Sequence, residues 1–169
     1  SLNMSIDIQN LTENQLSFGF GYHPYIYIGN LDNAILQTNV ERQVKLTKQL
    51  IPEVDEKMQM IFTDHDLNGD LNNATLDNLY FCEKEKPDFI LSLKKSDFKI
   101  RLECNTNNFN HSNTQKLNYQ FFQIYTPTDR KTIAIEPMTC PTNVFNHQDY
   151  LIKTQKRQTV SAEFTISIK

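Results

Sequence analysis

The run Phe98-Lys99-Ile100-Arg101-Leu102-Glu103 alternates apolar and charged side chains at every step. Successive side chains of an extended chain point to opposite faces, so this pattern buries Phe98, Ile100 and Leu102 while Lys99, Arg101 and Glu103 face water. A helix would scatter the same residues around its axis. The period recurs at both ends of the chain, in Ser5–Asn10 with Ile6 and Ile8 inward, and in Thr159–Lys169 with Phe164, Ile166 and Ile168 inward. It recurs more briefly at Tyr25–Ile28 and Gln43–Leu46, and strand-like runs also cover 59–63, 79–83, 88–93, 117–126 and 131–136. Turn-forming clusters separate these runs, among them Asp66–Asp70, Glu85–Asp88 and Asn105–Asn113. The one helical signal is a short turn near Asn143–Tyr150. About ten short strands without a long helix predict an all-β, mostly antiparallel sandwich. No repeat, linker or shift in composition divides residues 1–169, which are expected to form a single domain.

The chain has 169 residues, 38% of them apolar, with 17 basic and 20 acidic side chains and a formal charge of −3. So even a balance offers no field for holding nucleic acid or an anionic membrane surface. The mean hydropathy is −0.54, and no apolar run approaches the roughly 18 residues of a membrane span. No targeting segment is expected ahead of the first strand. Three cysteines, Cys82, Cys104 and Cys140, form no C-x-x-C pair. They point to free thiols in a cytoplasmic protein rather than to a disulfide frame or zinc ribbon.

Two motifs have the residue types that chemistry needs. In Phe18-Gly19-Phe20-Gly21-Tyr22-His23-Pro24-Tyr25, the glycines permit close backbone approach and Pro24 biases His23 to an extended conformation. Tyr22, Tyr25 and Tyr27 are expected to surround the imidazole with aromatic surface able to pack on a sugar ring, although a histidine bonded to a backbone carbonyl in a turn has the same signature. In Ile133-Ala134-Ile135-Glu136-Pro137-Met138-Thr139-Cys140-Pro141-Thr142-Asn143, alternation puts Glu136 opposite Ile133 and Ile135. Pro137 is expected to end the ladder there, leaving Glu136 at a strand end and suited to general-base work, unless it is merely solvated. Asp64-His65-Asp66-Leu67-Asn68-Gly69-Asp70 opens like a calcium loop, but its twelfth position is Thr75 rather than a bidentate glutamate, so it reads as a polar loop and no metal site is expected.

Taken in order, these two motifs and the intervening Leu76-Asp77-Asn78-Leu79-Tyr80-Phe81 resemble the aldose 1-epimerase (galactose mutarotase) family, in its mutarotase-related branch. The resemblance implies the C-terminal part of a β-supersandwich that interconverts the anomers of a free aldose, such as galactose or glucose, without metal or organic cofactor. His23 matches the family's general acid, Glu136 its general base and Asp77 the carboxylate that holds sugar hydroxyls. Tyr25 and Asn143, with Thr139 beside it, are further candidates to bind the substrate. Family members are longer, and their second active-site histidine and substrate-binding arginine have no counterpart here. His65, His111 and His147 do not match that histidine and are expected to be exposed loop residues. A sandwich lacking those strands presents open edges, so the chain is expected to be either a fragment, inactive for want of those site residues, or one piece of a larger assembly formed by self-association or with a partner supplying the other half. The competing function is a carbohydrate-binding module without turnover on the same scaffold.

Overall fold

A computed structural model describes residues 1–105 and 114–169. His111 lies outside the described residues. The strands in chain order are β1 (Leu2–Gln9), β2 (Leu16–Phe18), β3 (Tyr25–Tyr27), β4 (Ala34–Thr38), β5 (Arg42–Val44), β6 (Phe62–Asp64), β7 (Gly69–Asp70) and β8 (Asp77–Phe81). They continue with β9 (Asp88–Leu93), β10 (Lys99–Cys104), β11 (Thr114–Lys116), β12 (Phe121–Tyr125), β13 (Thr132–Met138), β14 (Ile152–Thr154) and β15 (Thr159–Ile168). The single α-helix among the described residues, α1 (Val144–His147), falls where the sequence signals a helical turn.

Two sheets carry most of these strands. One runs β1-β15-β10-β9-β4-β7, with β11 joined in parallel to β15; the other runs β3-β13-β12-β8-β5-β6. Among the described residues all strand pairings but β11 with β15 are antiparallel. Their inner faces meet in a core that includes Phe89, Leu91, Leu102 and Phe164 from the first sheet and Tyr80, Phe122, Ile124, Ile133 and Ile135 from the second. The rings of Phe89 and Phe122 join the layers at 4.9 Å between centroids.

The alternation read at residues 98–103 is present, with Ile100 and Leu102 buried and Lys99 exposed. Elsewhere the strands are displaced or shorter. β8 begins two residues earlier than the run at 79–83, and residues 117–120 precede β12 without extending it. Within 117–120, Asn105 holds the chain instead, its side-chain oxygen accepting from the Tyr119 amide at 3.1 Å.

Pro137 does not end its strand. β13 runs on to Met138, with Phe122 opposite Pro137 and Phe121 opposite Met138. The Pro137 carbonyl faces away from β12 and accepts from Tyr22 N at 3.0 Å. An antiparallel residue directs N–H and C=O to the same neighbour, so the donor that proline lacks would have pointed past the end of β3. No ladder bond to β12 is lost, and the strand continues.

The second sheet has a smaller apolar cluster on its outer face, formed by Val44, Met60, Leu79, Phe81 and Phe121. Residues 45–61 fold back over it as two consecutive turns. The Thr47 amide donates to the Ile51 carbonyl and the Asp55 amide to the Gln59 carbonyl, each at 2.8 Å. This arm lies beside the face that carries Glu136.

Phe122→Ala removes a fully buried ring that bridges both layers. It should lower unfolding free energy by about 3–5 kcal/mol in chemical denaturation, whereas a loss below about 1 kcal/mol would show that the sheets do not share one core.

Candidate active site

Strand register assembles the site. On the outer face of the second sheet, Glu136 lies opposite Gln123, which lies opposite Leu79. In the adjacent rung Tyr25 pairs with Ala134, Ala134 with Tyr125, and Tyr125 with Asp77. Because Ile133 and Ile135 are fully buried inward, Glu136 must emerge on the outer side.

His23 comes to this face on a strapped segment. Phe20 N donates to Thr139 Oγ1 at 3.0 Å, Thr139 N to the Phe20 carbonyl at 2.8 Å, and Tyr22 N to Pro137. Gly19 packs so closely on Cys140 that a Cβ would lie 2.2 Å from its sulfur, and at Gly21 one would lie 2.9 Å from Met138 Cγ. The glycines therefore serve close approach, as the sequence suggested, and neither has a positive φ. Beyond the strap, Pro24 is buried and the His23 ring stacks on Tyr25, with centroids 4.9 Å apart and planes inclined by 26°.

The outcome is a direct contact between residues more than a hundred positions apart: His23 Nε2 lies 3.0 Å from Glu136 Oε1. The carboxylate side chain is 13% exposed and the imidazole 53%. Gln123 Nε2 donates to Asp77 Oδ1 at 2.7 Å, so the second carboxylate is oriented as well. These groups open into a cleft of about 440 Å³, within the range of small-molecule sites. Its polar side is made by His23, Asp77, Gln123 and Glu136, and its aliphatic side by Leu46, Leu50, Leu79 and Met138. The arm that supplies Leu46 and Leu50 is tied down where Thr142 Oγ1 donates to the Leu50 carbonyl at 3.0 Å.

Burial pushes the Glu136 carboxyl above the ordinary glutamate range, the His23 charge pulls it back, and the Asp77 carboxylate adds to the rise. A carboxylate with raised proton affinity beside an imidazole can accept and return a proton. Among the described residues no group of three or more His, Cys, Asp or Glu is gathered for a metal ion.

A family model for aldose 1-epimerase matches residues 1–167. The chain belongs to the aldose 1-epimerase family. Solved structures agree in fold. A galactose mutarotase-like protein from Clostridium acetobutylicum superposes with a TM-score of 0.72 at 13% identity, covering 99% of this chain and 52% of that one. The Slr1438 protein from Synechocystis gives 0.70 at 19%, with 99% and 50% covered. A galactose mutarotase related enzyme from Lactobacillus acidophilus gives 0.70 at 13%, with 99% and 57% covered. The chain thus spans about half the length of these structures and has the all-β fold of galactose mutarotase-like proteins. A comparison with curated proteins found no match.

Of the residues singled out in the sequence of this epimerase-family chain, His23, Tyr25, Asp77 and Glu136 all line the cleft. Asn143 does not. It has a left-handed backbone (φ 64°) at the start of α1, and its side-chain oxygen accepts from Asn146. The neighbouring Thr142 lines the cleft instead. Thr139 is buried with its hydroxyl engaged by Phe20, and the Tyr22 ring turns inward to Phe164 at 5.1 Å. His65 is exposed, 5.6 Å from the Tyr80 ring, while His147 is half-buried within α1, its Nε2 3.2 Å from the Thr142 carbonyl. Gln123 and the aliphatic wall escaped the sequence reading. The signal for Gln123 was a polar residue between Phe121 and Tyr125 on one strand face; nothing local marked Leu46 or Leu50.

The two neighbours of Glu136 act with opposite sign. Asp77→Asn should move the Glu136 carboxyl titration to lower pH, and His23→Gln should move it higher. Carbon-detected NMR of the carboxyl checks both, and equal titrations in all three proteins would mean that burial alone sets the shift.

Proposed function

We propose that this chain has the acid–base half of an aldose mutarotase, acting on a neutral monosaccharide such as galactose or glucose. The observation behind this reading is the His23–Glu136 contact at 3.0 Å within a cleft of monosaccharide size. Two oxygens on one anomeric carbon lie close enough together to span that pair. Glu136 takes the proton of the C1 hydroxyl, and the imidazolium of His23 gives one to the ring oxygen as the C1–O5 bond breaks. The electron pair of the O1–H bond becomes the aldehyde π bond, and the pair of the broken C1–O5 bond is capped by the histidine proton. Rotation about C1–C2 exposes the other carbonyl face. Closure then returns both protons, leaving enzyme and substrate composition unchanged. Gln123 orients Asp77 to hold ring hydroxyls, and Tyr25 backs the imidazole.

Glu136→Gln should slow the anomerisation of fresh α-galactose by about 10²–10⁴-fold, or to the rate in buffer, followed by polarimetry. Full activity in this variant would remove the base assignment. Only ionised Glu136 accepts the C1 proton, so activity falls as pH drops through its pKa, with a midpoint above the ordinary glutamate value of about 4.3. Because the folded pKa is raised, the stability contribution of this group is present in acid and lost as pH rises through the folded pKa. The glutamine variant should therefore melt no lower than wild type at pH 7.

Coverage of only 50–57% of the related structures favours a second reading, in which the chain binds sugar without turning it over. Saturable binding with anomerisation no faster than in buffer would select it. The same coverage, with β1 and β3 at the open ends of the two sheets, supports residues 1–169 acting as one unit that meets either a second copy or a partner supplying the remaining strands. Sedimentation of the isolated chain should show association, and a monodisperse, cooperatively unfolding monomer would count against it. Three buried free thiols are in keeping with a reducing, cytoplasmic setting.

A further inference from the structure

The four aliphatic residues of the cleft are not equally secured. Leu79 sits on β8 and Met138 on β13, and Leu46 packs with Val54 on the outer apolar cluster at the base of the arm. Leu50 is carried by a loop, residues 47–51, that bonds mainly to itself. The Leu50 amide donates to the Thr47 carbonyl at 3.0 Å, and the Gln49 and Ile51 amides donate to Thr47 Oγ1, each at 3.3 Å. Leu50 has a left-handed backbone (φ 58°), uncommon for a leucine, and is 49% exposed. Among the described residues, one hydrogen bond joins this loop to the rest of the protein, from Thr142 Oγ1 to the Leu50 carbonyl at 3.0 Å. Thr142 is itself held in place. Asp149 N donates to His147 Nδ1 at 3.2 Å, which leaves the ring proton on Nε2, and Nε2 lies 3.2 Å from the Thr142 carbonyl.

We propose that Thr142 is a positioning residue for the sugar: its hydroxyl latches loop 47–51 so that Leu50 completes the aliphatic side of the cleft. This rests on the reading of the cleft as a monosaccharide site. A pyranose offers an apolar C–H face as well as hydroxyls, and the cleft has the same division between its polar and aliphatic sides. The Thr142 proton is committed to the Leu50 carbonyl, so the hydroxyl acts on the sugar through Leu50. Without that bond, loop 47–51 is joined to the body only through its two ends, and Leu50 leaves the wall for part of the time. The sugar is then held less tightly. His23, Glu136 and the groups that orient them are untouched, so the loss falls on binding and not on proton transfer.

Thr142→Val keeps the shape of the side chain and removes the donor, whereas Thr142→Ser keeps the donor. In the valine variant, KM for galactose by polarimetry and Kd by NMR titration should both rise about two- to tenfold, the worth of one hydrogen bond. There kcat should stay within about twofold of wild type, and the serine variant should match wild type in every constant. Leu50→Ala should raise KM and Kd at least as much, and adding Thr142→Val to it should raise them no further. Nitrogen-15 relaxation of residues 49–51 should show more motion in the valine variant than in the serine variant. Thr142 is exposed, so both variants retain the fold, which circular dichroism verifies. An unchanged Kd in Thr142→Val, a loss that serine does not restore, a fall in kcat at constant KM, or losses that multiply in the double variant each overturns the latch and leaves the mutarotase reading intact. Wild type that binds galactose without faster anomerisation removes the mutarotase reading, and there a rise in Kd reversed by serine still supports the latch. If galactose does not bind, both fall together.

Discussion

The register of β13 against β12 is the constraint from which the site follows. A slip of one residue would turn Ile133 and Ile135 to the surface and carry Glu136 into the core. Each isoleucine is worth about 1.5–3 kcal/mol of burial, and an ionised carboxylate without a partner inside the core costs several kcal/mol more. The two penalties act in the same direction, so packing alone fixes which way the carboxylate points. Gln123 and Asp77 are carried onto the same face because their own strands obey the same alternation against Phe122, Ile124 and Tyr80.

The imidazole reaches that carboxylate by a different device. No long strand carries His23, since β3 begins two residues later. What fixes it is the contact of the preceding backbone with the far end of β13, through Thr139 and the Pro137 carbonyl. Proline at 137 thus has a positive role: its carbonyl is free to take Tyr22 N without competing for a ladder. The residues immediately around His23 and Glu136 hold one another in place, with the core beneath them supplying rigidity.

This division explains what was legible in the sequence. Period-two burial is local information, and it located most strands and the face of Glu136. The meeting of His23 with Glu136 was accessible only through the resemblance, because no local pattern states which distant strands become neighbours. Pro137 misled for a physical reason: a proline stops pairing only on the side its nitrogen faces, and the sequence does not say which side that is. Asn143 is a different case. It closes the motif in sequence and has a left-handed backbone at the start of α1, while Thr142 beside it lines the cleft. Leu46 and Leu50 were invisible as cleft residues because the arm at 45–61 alternates only in short pieces interrupted by turns.

The electrostatics of the cleft bear on which ligands suit it. Asp77 and Glu136 contribute two carboxyl groups, and the one side chain lining the cleft that can become cationic is His23. No lysine or arginine stands among those lining residues to offset a phosphate or a sugar acid, and an anion would meet like charge at short range with little water between. A neutral polyol avoids that repulsion and replaces the water around Asp77 and Gln123 with its own hydroxyls. Burial is what chiefly raises the Glu136 carboxyl, with the Asp77 charge adding to the rise and the His23 charge opposing it.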